Sequence, residues 1–405
     1  MKNLPAAAAP ANVDSSARRL SPRASLWLLA SIMMAYLAAS SAPSPLYALY
    51  REAWGFSAFM LTVVFASYAV ALLAGLLVFG ALSDYRGRRA TILLSMVLEI
   101  GSLLLFLHAD AVAGLMAARL LQGLATGIAT SALSAALIDI DQTRGSLVNS
   151  VAPMLGMGAG ALGTSVLVQF APAPTRLIFE LLLALMAVQL AAVWFMPETV
   201  VRRAGALRSL WPRIAIPPQA RATLLHVLPV NTAQWALGGF YLSLGPSVAR
   251  VVTGSHAPVV GGAAIAALVL PSALAILFVR ARSPRFALVG GTALLGIGLA
   301  ISLAGIALLS GPVFFLGTAI GGLGFGASFN GSLRSLVSLA APQERGELMA
   351  GFFTFSYLAF SVPAILAGLA VGRYGLAAAG LGFGAILLAL VATALVLLLR
   401  QRPLP

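Results

Sequence analysis

Two ionisable residues lie inside long apolar segments of the sequence, where charges are rare. Glu99 falls in a segment predicted to be helical over 90–108, and Arg119 falls in the next one, over 111–138. At about 1.5 Å of rise per residue, their depths from the helix ends differ by only a few ångströms, so the two side chains can meet. They could form a static ion pair, a carboxyl group that exchanges a proton, or a binding site for an anionic solute. The sequence leaves these alternatives open.

A second set of charges occupies a short gap between two apolar segments, which reads GALSDYRGRR over residues 80–89. Asp84 lies at a predicted helix end, where its carboxylate can pair with Arg88 or with the positive N-terminus of a neighbouring helix. Elsewhere the three histidines are isolated from one another, and the sequence contains no cysteine. Neither a metal centre nor a cofactor is therefore predicted.

The composition identifies the solvent around these charged groups. Of the 405 residues, 60% are hydrophobic and only 9% are charged, and the mean hydropathy is +0.99. Soluble proteins contain about 25% charged residues, so this chain must be an integral membrane protein that lies in a lipid bilayer. Its apolar runs of about 20 residues indicate helices rather than barrel strands. The net charge of +14 is spread over short loops, which argues against a nucleic-acid partner.

Twelve membrane-spanning helices are predicted, which makes the chain an all-α membrane protein. Nineteen of the 25 basic residues fall in the segments on the N-terminal side of the bilayer and four in the segments on the other side. Because basic residues accumulate on the cytoplasmic side, both termini are predicted to be cytoplasmic. The predicted spans are residues 25–49, 58–82, 90–108, 111–138, 146–170, 176–196, 223–246, 258–280, 286–309, 312–339, 346–370 and 376–399.

An internal repeat divides these spans into two pseudo-symmetric halves of six helices. Arg144-Gly145 and Arg345-Gly346 are related by a shift of 201 residues, which also takes Gly123 to Gly324. Two parallel halves of this kind are known in secondary transporters. The predicted organisation is a disordered cytoplasmic tail (1–24), an N-terminal half (25–197), a cytoplasmic linker (198–222), a C-terminal half (223–399) and a short cytoplasmic tail (400–405).

The charged gap resembles the signature loop G-x-L-x-D-x-x-G-R-R of the major facilitator superfamily. Pro197-Glu198-Thr199 is similar to the P-E-[ST] that follows the sixth helix in many members of that family. The resemblance implies the twelve-span fold of that family and a role in secondary transport. It also implies that the loop locks the cytoplasmic side of the N-terminal half when the carrier faces outward. The residues to which this gating role would fall are Gly80, Asp84, Gly87, Arg88 and Arg89.

The same resemblance suggests roles for residues inside the spans. Arg119 and Gly123 are similar to the fourth-helix R-x-x-x-G motif, whose arginine is linked to proton transfer, so Glu99 and Arg119 are the candidates for proton coupling. The first, fourth, seventh and tenth helices line the transport pathway in the family. Polar or aromatic residues on those helices are therefore candidates for contact with the solute, namely Tyr36, Gln122, Asn231, Gln234, Trp235, Asn330 and Arg334.

The predicted function is secondary active transport of a small organic solute, by proton-coupled efflux through alternating access. We expect a monomer in a bacterial inner membrane, with protons as the coupling ion and no enzymatic activity. Proton-coupled uptake of a small metabolite is the alternative. A membrane-embedded enzyme would need clustered His, Asp or Glu residues, and a sensor would need an appended soluble domain. The sequence shows neither feature.

Overall fold

The computed structural model describes residues 19–212, 214–341 and 343–400, and in these residues the chain is helical with no strand. Arg208–Leu210 forms one short 3-10 turn. The helices are α1 (Pro22–Ser41), α2 (Pro43–Trp54), α3 (Ala58–Phe79), α4 (Leu82–Arg86), α5 (Arg88–His108), α6 (Val112–Ile140), α7 (Gln142–Phe170), α8 (Leu177–Val193), α9 (Pro218–Ser243), α10 (Gly245–Thr253), α11 (Pro258–Val279), α12 (Pro284–Ala307), α13 (Gly311–Val337), α14 (Arg345–Tyr374) and α15 (Leu376–Arg400).

These helices account for the twelve predicted spans, and the all-α prediction is confirmed. Among the described residues, ten helical segments are long and apolar enough to cross a membrane, with α1 and α2 counted as one segment. The sixth span is the shorter apolar helix α8. The seventh is α9, which is 26 residues long and contains several polar side chains. The small helix α4 lies in the loop between the second and third spans.

The predicted tails lie mainly outside the described residues, since residues 1–18 and 401–405 are not among them. Helix α1 begins at Pro22, where the hydroxyl of Ser21 accepts a hydrogen bond from the Ala24 amide. Residues 22–24 are therefore helical and do not belong to the predicted tail. Proline at the first position of a helix is favourable because its missing N–H group would have no partner there.

The first and seventh spans are interrupted at corresponding places. Helix α1 ends before Ala42 and α2 begins at Pro43, while α9 ends before Leu244 and α10 begins at Gly245. Prolines at the start of α2 and α10 lack the N–H group that would continue the preceding helix. Glycines with positive φ values of 67° and 63°, Gly55 and Gly254, then end α2 and α10. The same interrupted helix therefore occurs once in each half.

Close helix packing shows how the halves correspond, and it corrects the predicted repeat. A Cβ atom on Gly123 of α6 would overlap the backbone of Tyr68 in α3, and one on Gly322 of α13 would overlap the backbone of Leu268 in α11. Gly324, the residue that the shift of 201 predicted, packs against Leu295 of α12 instead. The spatial counterpart of Gly123 is therefore Gly322, because it contacts the equivalent neighbouring span.

We expect Gly123→Ala to destabilise the protein, because the added methyl group would meet backbone atoms, which cannot move aside. Overpacking of this kind costs about 1–3 kcal/mol. Gly163→Ala in α7 is the matched control, since no atom lies within 4 Å of the position of its Cβ. Thermal unfolding of the two purified variants in detergent measures the difference. Equal melting temperatures would contradict the packing of α6 against α3 described here.

The two halves meet from the middle of the bundle to one of its ends. We call this the Glu52 end, and we call the opposite end, where Asp84 and Arg345 lie, the basic end. At the Glu52 end the side chain of Gln169 accepts a hydrogen bond of 3.2 Å from the Val259 amide. A guanidinium nitrogen of Arg250 also lies 3.8 Å from a Glu52 carboxylate oxygen. These contacts join the N-terminal half to the C-terminal half and close the Glu52 end.

Candidate functional site: a buried charge network and a charged loop

The charged loop at the basic end is organised around the guanidinium group of Arg88. Arg88 forms ion pairs with Asp84, one turn earlier in α4, and with Asp139 of α6, at 3.0 Å. It also donates a hydrogen bond of 2.7 Å to the hydroxyl of Ser83. Gly87 separates α4 from α5 with a φ of 95°, a value that glycine adopts easily. The predicted pairing of Asp84 with Arg88 is present, and the loop is tied to α6 as well.

Residues that follow the sixth span also form hydrogen bonds with the charged loop. The carboxylate of Glu198 accepts hydrogen bonds from the backbone amides of Arg88, at 2.8 Å, and Arg89, at 3.2 Å. A negative side chain is favourable at this position because the first amides of α5 have no partner within the helix. The guanidinium group of Arg89 donates to the carbonyl oxygen of Met196 at 3.2 Å. Gly80 lies at the end of α3 in ordinary right-handed conformation.

Inside the N-terminal half, Glu99 and Arg119 belong to one hydrogen-bonded network. Arg119 donates a hydrogen bond of 2.7 Å to the side-chain oxygen of Gln122, and the Gln122 amide donates one of 3.2 Å to a Glu99 carboxylate oxygen. Glu99 and Arg119 therefore lie close together, as their similar depths in the membrane predicted. The direct ion pair that these depths allowed is not formed, because Gln122 lies one turn from Arg119 on α6 and occupies the space between them.

Arg119 is fully buried, and its surroundings are polar and aromatic. Its guanidinium group donates hydrogen bonds of 2.8 Å to the Tyr47 hydroxyl and to the Ser40 carbonyl oxygen. It also lies 5.4 Å from the ring centres of Tyr47 and Tyr68 and 5.7 Å from that of Phe106. Such contacts between a cation and aromatic rings stabilise a charge that has left water. The Ser40 carbonyl is free to accept because α1 is interrupted just beyond it.

Two polar atoms of this network have no hydrogen-bond partner among the described residues, one carboxylate oxygen of Glu99 and one guanidinium nitrogen of Arg119. Both residues have zero exposed surface. An unpaired buried polar atom is unfavourable, so the Glu99 oxygen is a point that would accept a proton or a hydrogen bond. The Arg119 nitrogen is a point that would donate a hydrogen bond to a water molecule or a solute group. A carboxyl group in this position can change its charge by taking up one proton.

Tyr36 lies beside the same network. Its hydroxyl donates a hydrogen bond of 3.0 Å to Ser95 of α5, which precedes Glu99 by one helical turn. Residues four apart on a helix share a face, so Tyr36 approaches the side of α5 that holds the carboxylate. Tyr36 and Gln122 are therefore placed with the proton-coupling candidates.

In the C-terminal half, Asn231 and Gln234 connect three helices. The Asn231 amide donates a hydrogen bond of 2.9 Å to Ser356 of α14, and the Gln234 amide donates one of 3.3 Å to the Asn231 side chain. Ser328 of α13 donates one of 2.8 Å to the Gln234 side-chain oxygen. The described residues of this cluster contain no ionisable group, so it differs in kind from the network in the N-terminal half.

Trp235 lies in a cluster of aromatic rings next to these amides. Four ring centres lie between 5.0 and 6.3 Å from that of Trp235, and the rings belong to Phe329, Phe353, Tyr357 and Phe360. The indole N–H group is buried without a hydrogen-bond acceptor among the described residues. Phe360 also packs against Phe65 of α3, with ring centres 5.0 Å apart, which joins the cluster to the other half. The cluster offers an apolar surface with one unused donor.

Asn330 and Arg334 occupy a different face of α13. Arg334 donates a hydrogen bond of 3.3 Å to the Val279 carbonyl oxygen at the end of α11, and Gly326 packs against Ser272 of α11. Asn330 lies one turn from each of these residues and therefore shares the face that packs against α11. These two candidates are not brought together with Trp235, because residues 325, 328 and 329 form the face of α13 that meets α9 and α14.

Several residues that contact the candidates were not selected from the sequence. Tyr47 follows Tyr36 by 11 residues, which is about three helical turns, so both lie on one face of the first span. This spacing is the signal from which Tyr47 could have been selected. Asp139 of α6 was not selected either, although it forms an ion pair with Arg88. No feature of the local sequence indicates that its carboxylate reaches Arg88 in another span.

Comparison with known proteins agrees with this architecture. The sequence model of the Major Facilitator Superfamily matches residues 28–301, which is more than half of the chain. No curated protein gives a significant sequence match. The solved structure of the nucleoside transporter NupG is similar over 93% of this chain and 100% of its own, with a TM-score of 0.72 and 12% identity. The human organic anion transporter MFSD10 (TETRAN) is similar over the same shares, with a TM-score of 0.67 and 17% identity. On the strength of the sequence match, the chain belongs to the major facilitator superfamily.

Proposed function

We propose that this membrane transporter exports a small organic solute in exchange for protons. As a member of its family it is a solute transporter rather than an enzyme. The observation that supports proton coupling is the buried network of Glu99, Gln122 and Arg119. A carboxyl group inside a membrane protein is costly to keep charged, and such groups mark proton pathways in transporters. Here the carboxylate is linked by one amide to a fixed positive charge, so a change in its protonation alters the balance of charge in the network.

We assign the solute-binding role to the aromatic cluster around Trp235, which contacts both halves through Phe360 and Phe65. The aromatic rings favour a solute with an apolar or planar part, and the unused indole N–H favours one with a hydrogen-bond acceptor. The two structural neighbours are by name transporters of nucleosides and of organic anions, which supports a small organic solute. Asn231 and Gln234 would position Trp235 through their hydrogen bonds to α13 and α14.

In the proposed cycle, the two halves rock about this central site, so that it is open to one side of the membrane at a time. Protonation of Glu99 would weaken the hydrogen bond that its carboxylate accepts from the Gln122 amide. That amide would then donate mainly to the Ala39 carbonyl oxygen, which it already contacts at 3.1 Å. Helix α1, which supplies Ala39 and Ser40, would be the element that senses this change. The excess of basic residues supports an orientation in which both termini and the basic end lie in the cytoplasm. The membrane in this proposal is a bacterial inner membrane.

Transport of a metabolite panel into inverted membrane vesicles tests this proposal. We expect solute to accumulate inside the vesicles when their interior is acidified, because protons leaving the lumen would drive solute into it. Collapse of the pH gradient should abolish accumulation, and vesicles from cells without the protein are the control. Accumulation in right-side-out vesicles driven by an acidic exterior would contradict export and establish uptake by symport. Transport that ignores the pH gradient in both orientations would contradict proton coupling.

A further inference from the structure

A crevice at the basic end lies apart from the buried network and the aromatic cluster, and it adjoins the charged loop, which contributes Leu82 and Arg86 to its lining. Its volume is about 400 Å³, and it is enclosed by the ends of α3, α4 and α5 on one side and by the linker after the sixth span on the other. The residues that line it are Phe79, Leu82, Arg86, Ala90, Thr91, Leu94, Ala206, Leu207 and Leu210. The lining is apolar except for Thr91 and Arg86.

The crevice opens onto the lipid-facing side of α5. Leu94 and Val97 of that helix have exposed fractions of 45% and 56%, although both are large and apolar. In a membrane-spanning helix, side chains exposed in this way contact the hydrocarbon chains of the bilayer. Leu94 lies six residues into α5, so the crevice extends about 9 Å from the start of the helix toward the bilayer centre. An acyl chain could therefore enter it directly from the surrounding leaflet.

The linker, which forms the other wall of the crevice, is hydrogen-bonded to the charged loop. The backbone amide of Arg203 donates a hydrogen bond of 3.0 Å to the Tyr85 carbonyl oxygen. Gly205, with a φ of 104°, then turns the chain beside the Tyr85 ring, so that Ala206 and Leu207 face the crevice. Leu207 and Trp211 are each 81% exposed, which is unfavourable in water and favourable at the boundary between headgroups and acyl chains.

The arginines around the crevice have no carboxylate counter-ion among the described residues. Between Glu198 and Glu344 the sequence contains ten arginines and no acidic residue. Arg86 lines the crevice, Arg208 lies between two lining residues of the linker, and Arg202 and Arg203 precede them. All four are exposed, and none forms an ion pair with a carboxylate among the described residues. Glu198, the nearest acid along the linker, is occupied by the amides of α5.

We propose that this crevice binds an anionic phospholipid, with its phosphate between Arg86 and Arg208 and one acyl chain along Leu94 and Leu207. Basic clusters next to the ends of transmembrane helices attract anionic lipid headgroups. The lipid would hold the linker against α3, α4 and α5 and so stabilise the position of the charged loop. The site is formed by the N-terminal half and the linker alone, and it does not depend on the identity of the transported solute.

Native mass spectrometry of the full-length protein tests this site with phosphatidylglycerol and phosphatidylcholine of identical acyl chains. We expect one phosphatidylglycerol to bind in preference to phosphatidylcholine. The Arg86→Gln/Arg208→Gln variant should bind it about thirtyfold more weakly, since each basic residue contributes about a fivefold factor near a lipid headgroup. The Arg345→Gln/Arg400→Gln variant removes the same charge from the same end, and its affinity should be unchanged. Equal weakening in both variants would overturn the site.

A second variant keeps the test decisive if the double arginine variant does not fold. Ala206→Phe fills the crevice without changing any charge, and it should abolish the preference for phosphatidylglycerol. Retention of that preference would show that the acyl chain lies elsewhere. An excess of inorganic phosphate should not displace the bound lipid, because it supplies the headgroup charge but no acyl chain. Complete displacement by phosphate would overturn the assignment to a lipid.

Discussion

Transport by the Arg119→Gln variant is expected to fall to background, and the variant is expected to be less stable than the wild type. The change removes the donor to Tyr47 and Ser40 and leaves the Glu99 carboxylate without a compensating charge in a fully buried network. Breaking a buried pair by removal of one partner costs about 3–5 kcal/mol, and we expect the lower end because Gln122 separates the charges. Vesicle transport and thermal unfolding in detergent measure the two effects.

The Glu99→Gln variant completes a thermodynamic cycle with this change. It leaves the Arg119 charge uncompensated, so it should also be destabilised, while the double variant Glu99→Gln/Arg119→Gln should be more stable than either single variant. A folded but inactive double variant would indicate that the network takes part in transport. If the double variant transports with normal pH dependence, the network is structural and protons are coupled elsewhere. Stability changes that simply add would show that Gln122 does not couple the two charges.

Arg334→Gln is the matched control for the loss of a positive charge. Arg334 also lies within a span, but it is only half-buried and its hydrogen bond is to the Val279 carbonyl oxygen at the end of α11. A long side chain so close to a helix end can extend its charge toward the membrane surface, so its removal should change stability by less than about 1 kcal/mol. A loss as large as that in Arg119→Gln would mean that any intramembrane arginine is equally sensitive.

The second large effect is expected at the charged loop. Asp84→Asn should reduce transport by at least about tenfold while the amount of protein in the membrane stays near normal. Its side chain is 56% exposed, and exposed ion pairs contribute about 0–1 kcal/mol to stability. Arg88 also keeps its second partner, Asp139, so its charge remains compensated and the fold is preserved. The variant would nevertheless lose one of the two ion pairs of Arg88. If the loop sets the balance between the conformations of the transporter, this loss would reduce transport.

Asp139→Asn and Asp141→Asn provide a matched comparison at the end of α6. Asp139 shares the Arg88 guanidinium group with Asp84, so its neutralisation should impair transport in the same way. Asp141 pairs with the exposed Arg144 at 3.8 Å and does not contact the loop, so its neutralisation should have little effect. Transport rates normalised to immunoblot signal measure all three variants. If the Asp84→Asn variant transports at the wild-type rate, the loop serves only as a signal for membrane orientation.

The features that the sequence predicted correctly are those governed by local composition. Spans are recognisable because every backbone polar group must be paired within a helix in lipid, which requires about 20 apolar residues in a row. The pairing of Asp84 with Arg88 was predictable because residues four apart meet on a helix. The proximity of Glu99 and Arg119 followed from equal depth in adjacent helices joined by a short turn.

The features that were not predicted depend on rotation of helices about their axes and on distant segments. Depth along a helix gives no information about azimuth, so the insertion of Gln122 between Glu99 and Arg119 could not be deduced. The prediction that Gly324 is the counterpart of Gly123 was wrong for a similar reason. The true counterpart, Gly322, is two residues away, and at 100° per residue this difference turns the side of the helix that packs by about 200°. The contact of Asp139 with Arg88 joins residues 51 apart in sequence.

Closure of the Glu52 end makes the two sides of the membrane unequal for any ligand that must reach Trp235. A molecule arriving from that side can bind only in conformers in which the contacts of Arg250 with Glu52 and of Gln169 with Val259 are broken. Its apparent dissociation constant is then the intrinsic value divided by the fraction of such conformers. If about one molecule in a hundred is open on that side, the apparent affinity is about a hundredfold weaker. An impermeant inhibitor applied to each face in turn would therefore measure the resting distribution of the carrier.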